Sequence, residues 1–151
     1  MLREGIVLGY GELQSELQKC LTFFVKEIGY KQDLKVSEPY QLINDSGEVN
    51  TTQYPSADSP GVYIFCSSEG CLYIGKSSRY MGNRIWSHIG RSKRPNENEF
   101  PNAEEWIKAS LPNVGIFTIP FSNEHWWLAP ALEGYLTERL KPKHVAEGRR
   151  S

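Results

Sequence analysis

The features that this sequence lacks exclude several classes of protein. Its 151 residues include only three cysteines, and no pair of them has the CxxC spacing of a zinc or redox site. Cys66 and Cys71 could face each other across a hairpin, although reduced thiols are the expectation for a cytosolic protein. No apolar run is long enough to span a membrane, and the stretch from Met1 to Glu12 lacks the pattern of a secretory signal. These absences predict a cytoplasmic protein without a membrane partner.

A large net charge is also missing, since 17 Lys and Arg residues nearly balance 18 Asp and Glu residues. The distribution of the charge is uneven. Residues 1–55 contain five basic and eight acidic residues, whereas residues 56–151 contain twelve and ten, so the positive excess lies in the second part. From Lys76 to Arg94 there are six basic residues and no acidic one. Contact with phosphate groups needs a local basic surface of this kind, although many solvated surfaces are equally basic.

Two short β-rich runs stand next to this basic stretch. They are 61–65 (GVYIF) and 71–75 (CLYIG), and a turn-like segment that contains Gly70 separates them. Two apolar-aromatic runs that are split by such a turn predict an antiparallel hairpin. Because side chains alternate between the two faces of a strand, we expect Tyr73 on the same face as Cys71.

Further elements are predicted on both sides of the hairpin. Apolar residues recur at helical spacing over 11–29 and over 126–140, and the segment 103–111 follows a capping residue. The nearly continuous apolar run 114–119 predicts a central strand that is covered on both faces. Glu133 lies within the apolar stripe of the last helix, where burial of a carboxylate is costly unless it is paired or bound to a metal.

The order of these features resembles a known nuclease family. Gly-Val-Tyr at 61–63 is followed by Tyr-Ile-Gly at 73–75, then by Arg84, by His88 one helical turn later, and by Glu133 on the last helix. This order is similar to that of the GIY-YIG nuclease superfamily, with Val in place of the first Ile. The two triplets alone are a weak match, and the later residues in the family order make the match specific. The resemblance extends from the hairpin to the end of the last helix.

The resemblance implies a metal-dependent endonuclease that hydrolyses DNA phosphodiester bonds by in-line attack of water, with RNA left open as a substrate. It implies that Glu133 binds one Mg²⁺ or Mn²⁺ ion, whose other ligands are water and phosphate oxygens. Tyr63 matches the proposed general base, and Arg84 matches the arginine that stabilises the phosphate in the transition state. A free phenol has a pKa of about 10, so Tyr63 would need a nearby cation to act as a base at neutral pH.

Three further residues receive roles from the same resemblance. Tyr73 matches the second tyrosine, which positions phosphate or water. His88 matches a proton relay or a phosphate contact. Lys76 would hold the phosphate or lower the pKa of Tyr63. The basic residues that are expected to bind nucleic acid are Lys76, Arg79, Arg91, Lys93 and Arg94.

Each of these roles has a structural alternative. The tyrosines could be core aromatics, the histidine a structural one, and the glutamate the partner of an arginine or a lysine. The family pattern also ends in Lys-Pro-x-x-Asn, whereas the segment 141–144 (KPKH) is followed here by Val145 in the Asn position. This departure motivates a second hypothesis, a catalytically inactive module on the same scaffold that binds nucleic acid or protein.

Together these patterns predict a small α/β domain of the α+β kind. Residues 59–146 are expected to form a GIY-YIG-like domain, in which helices flank a three-stranded, mostly antiparallel sheet. Residues 1–58 form an N-terminal helical extension without an assigned role, and residues 147–151 form a C-terminal tail. The helix at 11–29 is expected to dock on the sheet or to bind a protein partner, including a second copy of the chain.

Overall fold

The chain folds as an α+β structure with helices on both faces of one sheet. The computed structural model describes residues 6–43, 46, 54–68, 70–89, 105–110 and 113–144. The elements in chain order are helix α1 (Ile6–Ile28), strands β1 (Tyr40–Ile43), β2 (Gly61–Ser67) and β3 (Gly70–Ser77), helices α2 (Met81–His88) and α3 (Glu105–Ser110), strand β4 (Val114–Pro120), a 3₁₀-helix (Asn123–Leu128) and helix α4 (Ala129–Leu140).

The strands of the described residues form one antiparallel sheet in the order β1-β4-β2-β3. The predicted hairpin is confirmed as β2 and β3, and the strand predicted at 114–119 is confirmed as β4, between β1 and β2. The sheet has four strands rather than the predicted three, because β1 pairs with β4. β1 is only four residues long and its register shifts between Gln41 and Ile43, so it leaves little periodic pattern in the sequence.

Two apolar cores lie on opposite faces of this sheet. On one face the buried residues come mainly from α1, α4 and β2, and include Leu17, Leu21, Phe24, Val62, Ile64, Leu132 and Leu136. On the other face they come mainly from α2, α3 and β2, and include Tyr63, Phe65, Met81, Ile85, Trp106 and Ile107. Every residue of β2 is buried, because both of its faces are covered.

A β-bulge in β3 changes the face of the sheet on which its side chains lie. The register pairs Phe65 with Tyr73 and Cys66 with Cys71, so Leu72 is an extra residue at this point. Leu72 and Tyr73 consequently both join the core on the α2 side, whereas Cys71 packs against the core on the α1 side. The expectation that Tyr73 shares a face with Cys71 is therefore wrong. Both cysteines are free thiols.

Helix α1 is longer than the predicted segment 11–29, and it packs on the sheet. It ends before Gly29, whose φ of +70° is a conformation that glycine adopts without strain. Gln18 ties the next segment to the helix: its Nε2 donates to the Leu34 carbonyl (3.1 Å), and its Oε1 accepts from the Val36 amide (3.2 Å). Docking on the sheet is thus observed, and binding of a partner by this helix stays a prediction.

The remaining helices follow the sequence pattern with shifted ends. The helix predicted at 126–140 is divided into the 3₁₀-helix and α4, and His125 lies outside helical geometry (φ −115°, ψ 22°). Pro130 lies in the first turn of α4, where no backbone N–H is required. The expected cap of α3, Asn102, and the tail 147–151 lie outside the described residues. In the described ranges, no helix combines the length and the apolar character that crossing a bilayer requires.

Candidate active site

The hairpin and α2 bring a tyrosine and a histidine into contact. Tyr63 is fully buried on the α2 side of β2, and its Oη atom lies 2.9 Å from Nε2 of His88 in the last turn of α2. His88 is itself buried. Two residues that the sequence predicted for one site are therefore hydrogen-bonded to each other. Their burial also agrees with the structural alternative, so the chemistry of their neighbours matters.

Gly75 makes room for the Tyr63 phenol. The two residues are register partners in β3 and β2. A Cβ atom added at Gly75 would overlap the Cζ and Oη atoms of Tyr63, so any side chain there would displace the ring. Gly75 is not among the residues with positive φ. The second glycine of the motif is thus explained by the space that the phenol occupies and not by an unusual backbone conformation.

Tyr73 belongs to a stack of rings that closes one side of the site. Its ring centroid lies 4.8 Å from that of His88, and it stacks on Trp106 of α3 at 4.9 Å. Trp106 stacks in turn on His144 at 5.8 Å. The backbone N–H of His144 donates to the Leu72 carbonyl (2.9 Å), which fixes the segment after α4 against β3. Trp106 is buried in the core on the α2 side, and its ring contacts with Tyr73 depend on tertiary packing.

Burial keeps the Tyr63 phenol protonated. The loss of solvation raises the pKa of Tyr63 well above its ordinary value of about 10, and the nearby Tyr73 raises it further. The positive charge of Arg84 acts in the opposite direction but does not cancel these effects. At neutral pH the hydroxyl group of Tyr63 is therefore uncharged, and it can donate a hydrogen bond or pass on a proton.

Glu133 reaches the same edge of the sheet from α4. Its side chain is 8% exposed, which confirms the predicted burial, and its Oε1 atom lies 3.8 Å from Nζ of Lys76 in β3. The Lys76 side chain is 44% exposed. The Glu133 carboxylate also contributes to the raised pKa of Tyr63, so the two groups are close enough to interact. The structure therefore joins Glu133, Lys76 and Tyr63 in one neighbourhood.

An open cleft of about 370 Å³ lies next to Lys76 and Arg84. Its walls come from β3, α2, the 3₁₀-helix and α4, and they comprise Lys76, Ser77, Ser78, Arg84, Trp126, Ala129 and Pro130. Lys76 and Arg84 are both exposed. Two cationic side chains at the mouth of one cleft attract anions, and a phosphate group would be held between them.

The chemistry of Glu133 fits a cation that takes few ligands from the protein. A carboxylate is the kind of oxygen ligand that Mg²⁺ and Mn²⁺ prefer. Within the described part of the chain, no three His, Cys, Asp or Glu side chains come together as a metal-binding group. A metal ion at Glu133 would therefore take most of its ligands from water and phosphate, as the sequence resemblance implies.

The predicted nucleic-acid-binding residues lie only partly within the structure. Lys76 is exposed near the end of β3, and Arg79 is exposed between β3 and α2. Arg91, Lys93 and Arg94 lie outside the described residues, as does Val145, which occupies the Asn position of the family pattern. Nucleic-acid binding by all five predicted residues, and the effect of Val145, stay predictions.

Trp126 is a cleft residue that the sequence pattern did not indicate. It belongs to the 3₁₀-helix before α4, lines the cleft beside Arg84, and is 47% exposed. The available signal was the pair of adjacent tryptophans at the start of the last helix, because two neighbouring large rings rarely face the same core.

Compared with known proteins, the chain matches no family model, and no curated protein matches it significantly. Membership of the GIY-YIG superfamily therefore stays a prediction from the residues named above.

Proposed function

We propose that the protein is a metal-dependent endonuclease that hydrolyses DNA phosphodiester bonds by attack of water at a single-metal site of GIY-YIG type. The observation that carries this proposal is the 2.9 Å contact between Tyr63 and His88, within electrostatic reach of Arg84 and Glu133. This arrangement supports the proposal that proton transfer, anion stabilisation and cation binding act together. We infer a GIY-YIG-type fold from the same residues.

The cationic side chains suit the charge that develops on the phosphate. During hydrolysis the phosphorus becomes five-coordinate, and its non-bridging oxygens carry increased negative charge. Arg84 presents a planar guanidinium at the cleft and Lys76 an ammonium group, so both can donate charge-assisted hydrogen bonds to these oxygens. Loss of one such donor typically slows a reaction by about 10²–10³.

Tyr63 and His88 provide a path for the proton of the attacking water. As the water oxygen bonds to phosphorus, its proton passes to Oη of Tyr63, and the phenolic proton passes across the 2.9 Å contact to Nε2 of His88. The bond from phosphorus to the 3′ oxygen breaks, and that oxygen takes a proton from solvent. This relay uses a neutral phenol, which agrees with the raised pKa of Tyr63.

Glu133 would hold one Mg²⁺ or Mn²⁺ ion beside the phosphate. When it is bound, the ion neutralises charge on the phosphate oxygens. Burial of Glu133 on α4 fixes the direction of its carboxylate, and the rings of Tyr73 and Trp106 keep bulk water away from the phenol and the imidazole.

Nicking of supercoiled plasmid tests the proposed function. We expect nicked circles with Mg²⁺ or Mn²⁺ and none with a chelator. Glu133→Ala removes the proposed metal ligand and Arg84→Ala removes the phosphate donor, so each variant should nick at least about 10²-fold more slowly than the parent. A parallel incubation with RNA settles which nucleic acid is cut.

Glu138→Ala is the matched control for Glu133→Ala. Glu138 lies on the same helix, but its side chain is 81% exposed and contacts Lys141 at 3.4 Å, away from the cleft. This variant should nick as fast as the parent. Equal rates for the parent, Glu133→Ala and Arg84→Ala would show that the site is assigned to the wrong residues.

The second candidate function is a catalytically inactive module that binds nucleic acid or protein. The ion pair between Lys76 and Glu133 favours it, because the lysine already supplies a positive charge to the carboxylate. This candidate predicts DNA binding that weakens steeply with salt, and no cleavage with any divalent metal. The endonuclease instead predicts that Mn²⁺ raises the melting temperature and that Glu133→Gln removes the rise.

A further inference from the structure

A second cleft, of about 540 Å³, adjoins the candidate active site. Its walls comprise Asp58, Ser78, Arg79, Tyr80, Asn123 and Trp126. Ser78 and Trp126 line the first cleft as well, so the two clefts meet along one surface. The volume lies within the range of small-ligand sites, roughly 300–1,000 Å³.

Two aromatic side chains of the second cleft are unusually exposed. Tyr80 is 50% exposed at the N-terminal end of α2, and Trp126 is 47% exposed in the 3₁₀-helix. Within the described part of the chain, neither side chain has a hydrogen bond or a ring contact. Large apolar rings in water are unfavourable, and their position at a cleft indicates a ligand with a flat, stackable face.

The neighbouring Trp127 is just as exposed, but its side chain has local partners. Trp127 is 56% exposed, but its Nε1 donates to the Glu124 carbonyl (3.0 Å), and its ring faces that of His125 at 6.2 Å. It lines neither of the two clefts. Trp127 is therefore engaged locally, whereas Trp126 is directed to the place where the clefts join.

The 3₁₀-helix is a firm support for Trp126. Nδ1 of His125 lies 2.9 Å from Oη of Tyr30 and 3.0 Å from Oγ of Ser122. Tyr30 also packs edge-on against Phe121 at 6.2 Å, so the segment is anchored to the end of α1 and to the core. A stacking platform needs such support, because ordering a loose side chain would weaken binding.

We propose that the second cleft binds an unpaired nucleotide of a nucleic-acid strand, with its base stacked on Trp126. This inference rests on the proposed function of the first cleft, where Lys76 and Arg84 hold the neighbouring phosphate. Stacking accepts every base, since each has a π-face. The substrate class is therefore a strand with an unpaired nucleotide beside the bond that is cut.

The polar residues of the cleft suit this ligand. Arg79 offers a positive charge to the phosphate of the stacked nucleotide. Asp58 and Asn123 present acceptors and donors to the edge of the base. Because Asp58 is negatively charged, it would repel a second phosphate group, whereas it can accept hydrogen bonds from the N–H groups of a base. Bases within a duplex are already stacked on their neighbours, so they reach the cleft only after unpairing.

The test is binding measured without catalysis. Fluorescence anisotropy in EDTA measures the affinity of the protein for three labelled ligands. They are a single-stranded oligothymidylate, its duplex with oligoadenylate, and a single-stranded oligouridylate that represents RNA. The parent should bind the single strands more tightly than the duplex. Trp126→Ala should weaken single-strand binding roughly five-fold or more, by loss of one stacked base, and leave duplex binding unchanged. Trp127→Ala should change neither, and Trp126→Tyr should restore most of the affinity.

Two results would overturn the inference: a parent without preference for single strands, or equal losses in Trp126→Ala and Trp127→Ala. Melting temperatures and circular dichroism of both variants report whether they are folded. Plasmid nicking is scored separately. Nicking without Trp126-dependent binding would refute only the proposed role of the second cleft. Trp126-dependent binding without nicking would refute the endonuclease function and would support a module that binds single strands.

Discussion

At the scale of single residues, Tyr63 shows how packing selects among the roles that a motif allows. A phenol can act as a base through its phenolate or as a relay through its hydroxyl group. Burial beside Tyr73 disfavours the phenolate, and Nε2 of His88 accepts the phenolic hydrogen bond in the tautomer that is protonated on Nδ1. The sequence indicates that Tyr63 belongs to the site, but not which role it takes, because the pKa depends on neighbours that only folding brings together.

The raised pKa of Tyr63 predicts a loss of stability at alkaline pH. The unfolded chain ionises this phenol at about pH 10, whereas the folded protein still holds the proton. The unfolded state therefore binds fewer protons above that pH, and the free energy of unfolding falls as the pH rises further. Denaturant titrations of the parent and Tyr63→Phe above pH 10 should show a smaller fall in the variant. A fall as steep in Tyr63→Phe as in the parent would contradict the burial of this phenol.

Gly75 gives a second prediction at this scale. Gly75→Ala should lower the free energy of unfolding by about 1–3 kcal/mol, because its methyl group overlaps the Tyr63 ring. Gly134→Ala is the control: a Cβ there meets nothing within 4 Å on α4, and alanine favours helix by up to about 1 kcal/mol. Chemical denaturation of both variants measures the difference, and equal effects would contradict the close approach of the phenol to β3.

At the scale of elements, the β2–β3 hairpin was predictable and its bulge was not. The two apolar-aromatic runs with a turn between them identify the strands. The extra residue Leu72 leaves no periodic trace, yet it turns Tyr73 towards the α2 side and Cys71 towards the α1 side. The same limit applies to β1, whose four residues join the sheet only through pairing with β4.

The hairpin cysteines should be chemically inert in the folded protein. Burial raises the pKa of Cys71 to about 12 and that of Cys66 further, so at pH 8 both are uncharged thiols and poor nucleophiles. Ellman's reagent should therefore react slowly with the native protein. In denaturant it should react rapidly with all three cysteines. Ser68→Cys, at an exposed turn position, is the positive control and should react at once. Rapid reaction of the parent would contradict the packing of this hairpin.

At the scale of the whole molecule, a core covers each face of the strand that carries Tyr63. Tyr63 faces the core beneath α2 and α3, while Val62 and Ile64 on the same strand face the core beneath α1 and α4. The sequence predicted α1 and α4 from the helical spacing of their apolar residues. It could not show that α1 covers the back of the strand that carries Tyr63, because helix docking depends on contacts between distant parts of the chain.

Leu17→Ala measures how much α1 contributes to this arrangement. Leu17 is fully buried in the α1-side core, so the truncation should lower the free energy of unfolding by about 2–5 kcal/mol. Glu12→Ala, on the exposed side of the same helix, should change it by less than about 0.5 kcal/mol. Similar values for the two variants would mean that α1 is only loosely attached and that the sheet folds without it.

The position of Glu133 along the chain has a consequence for the order in which the protein folds. Tyr63, Tyr73, Lys76 and His88 come from one continuous hairpin and helix, whose contacts close short loops, whereas Glu133 must be brought from α4 across a much longer loop. The phenol and the imidazole are therefore expected to meet early, and the carboxylate to arrive late. For the endonuclease that we propose, cleavage should therefore return during refolding only with this last structural step.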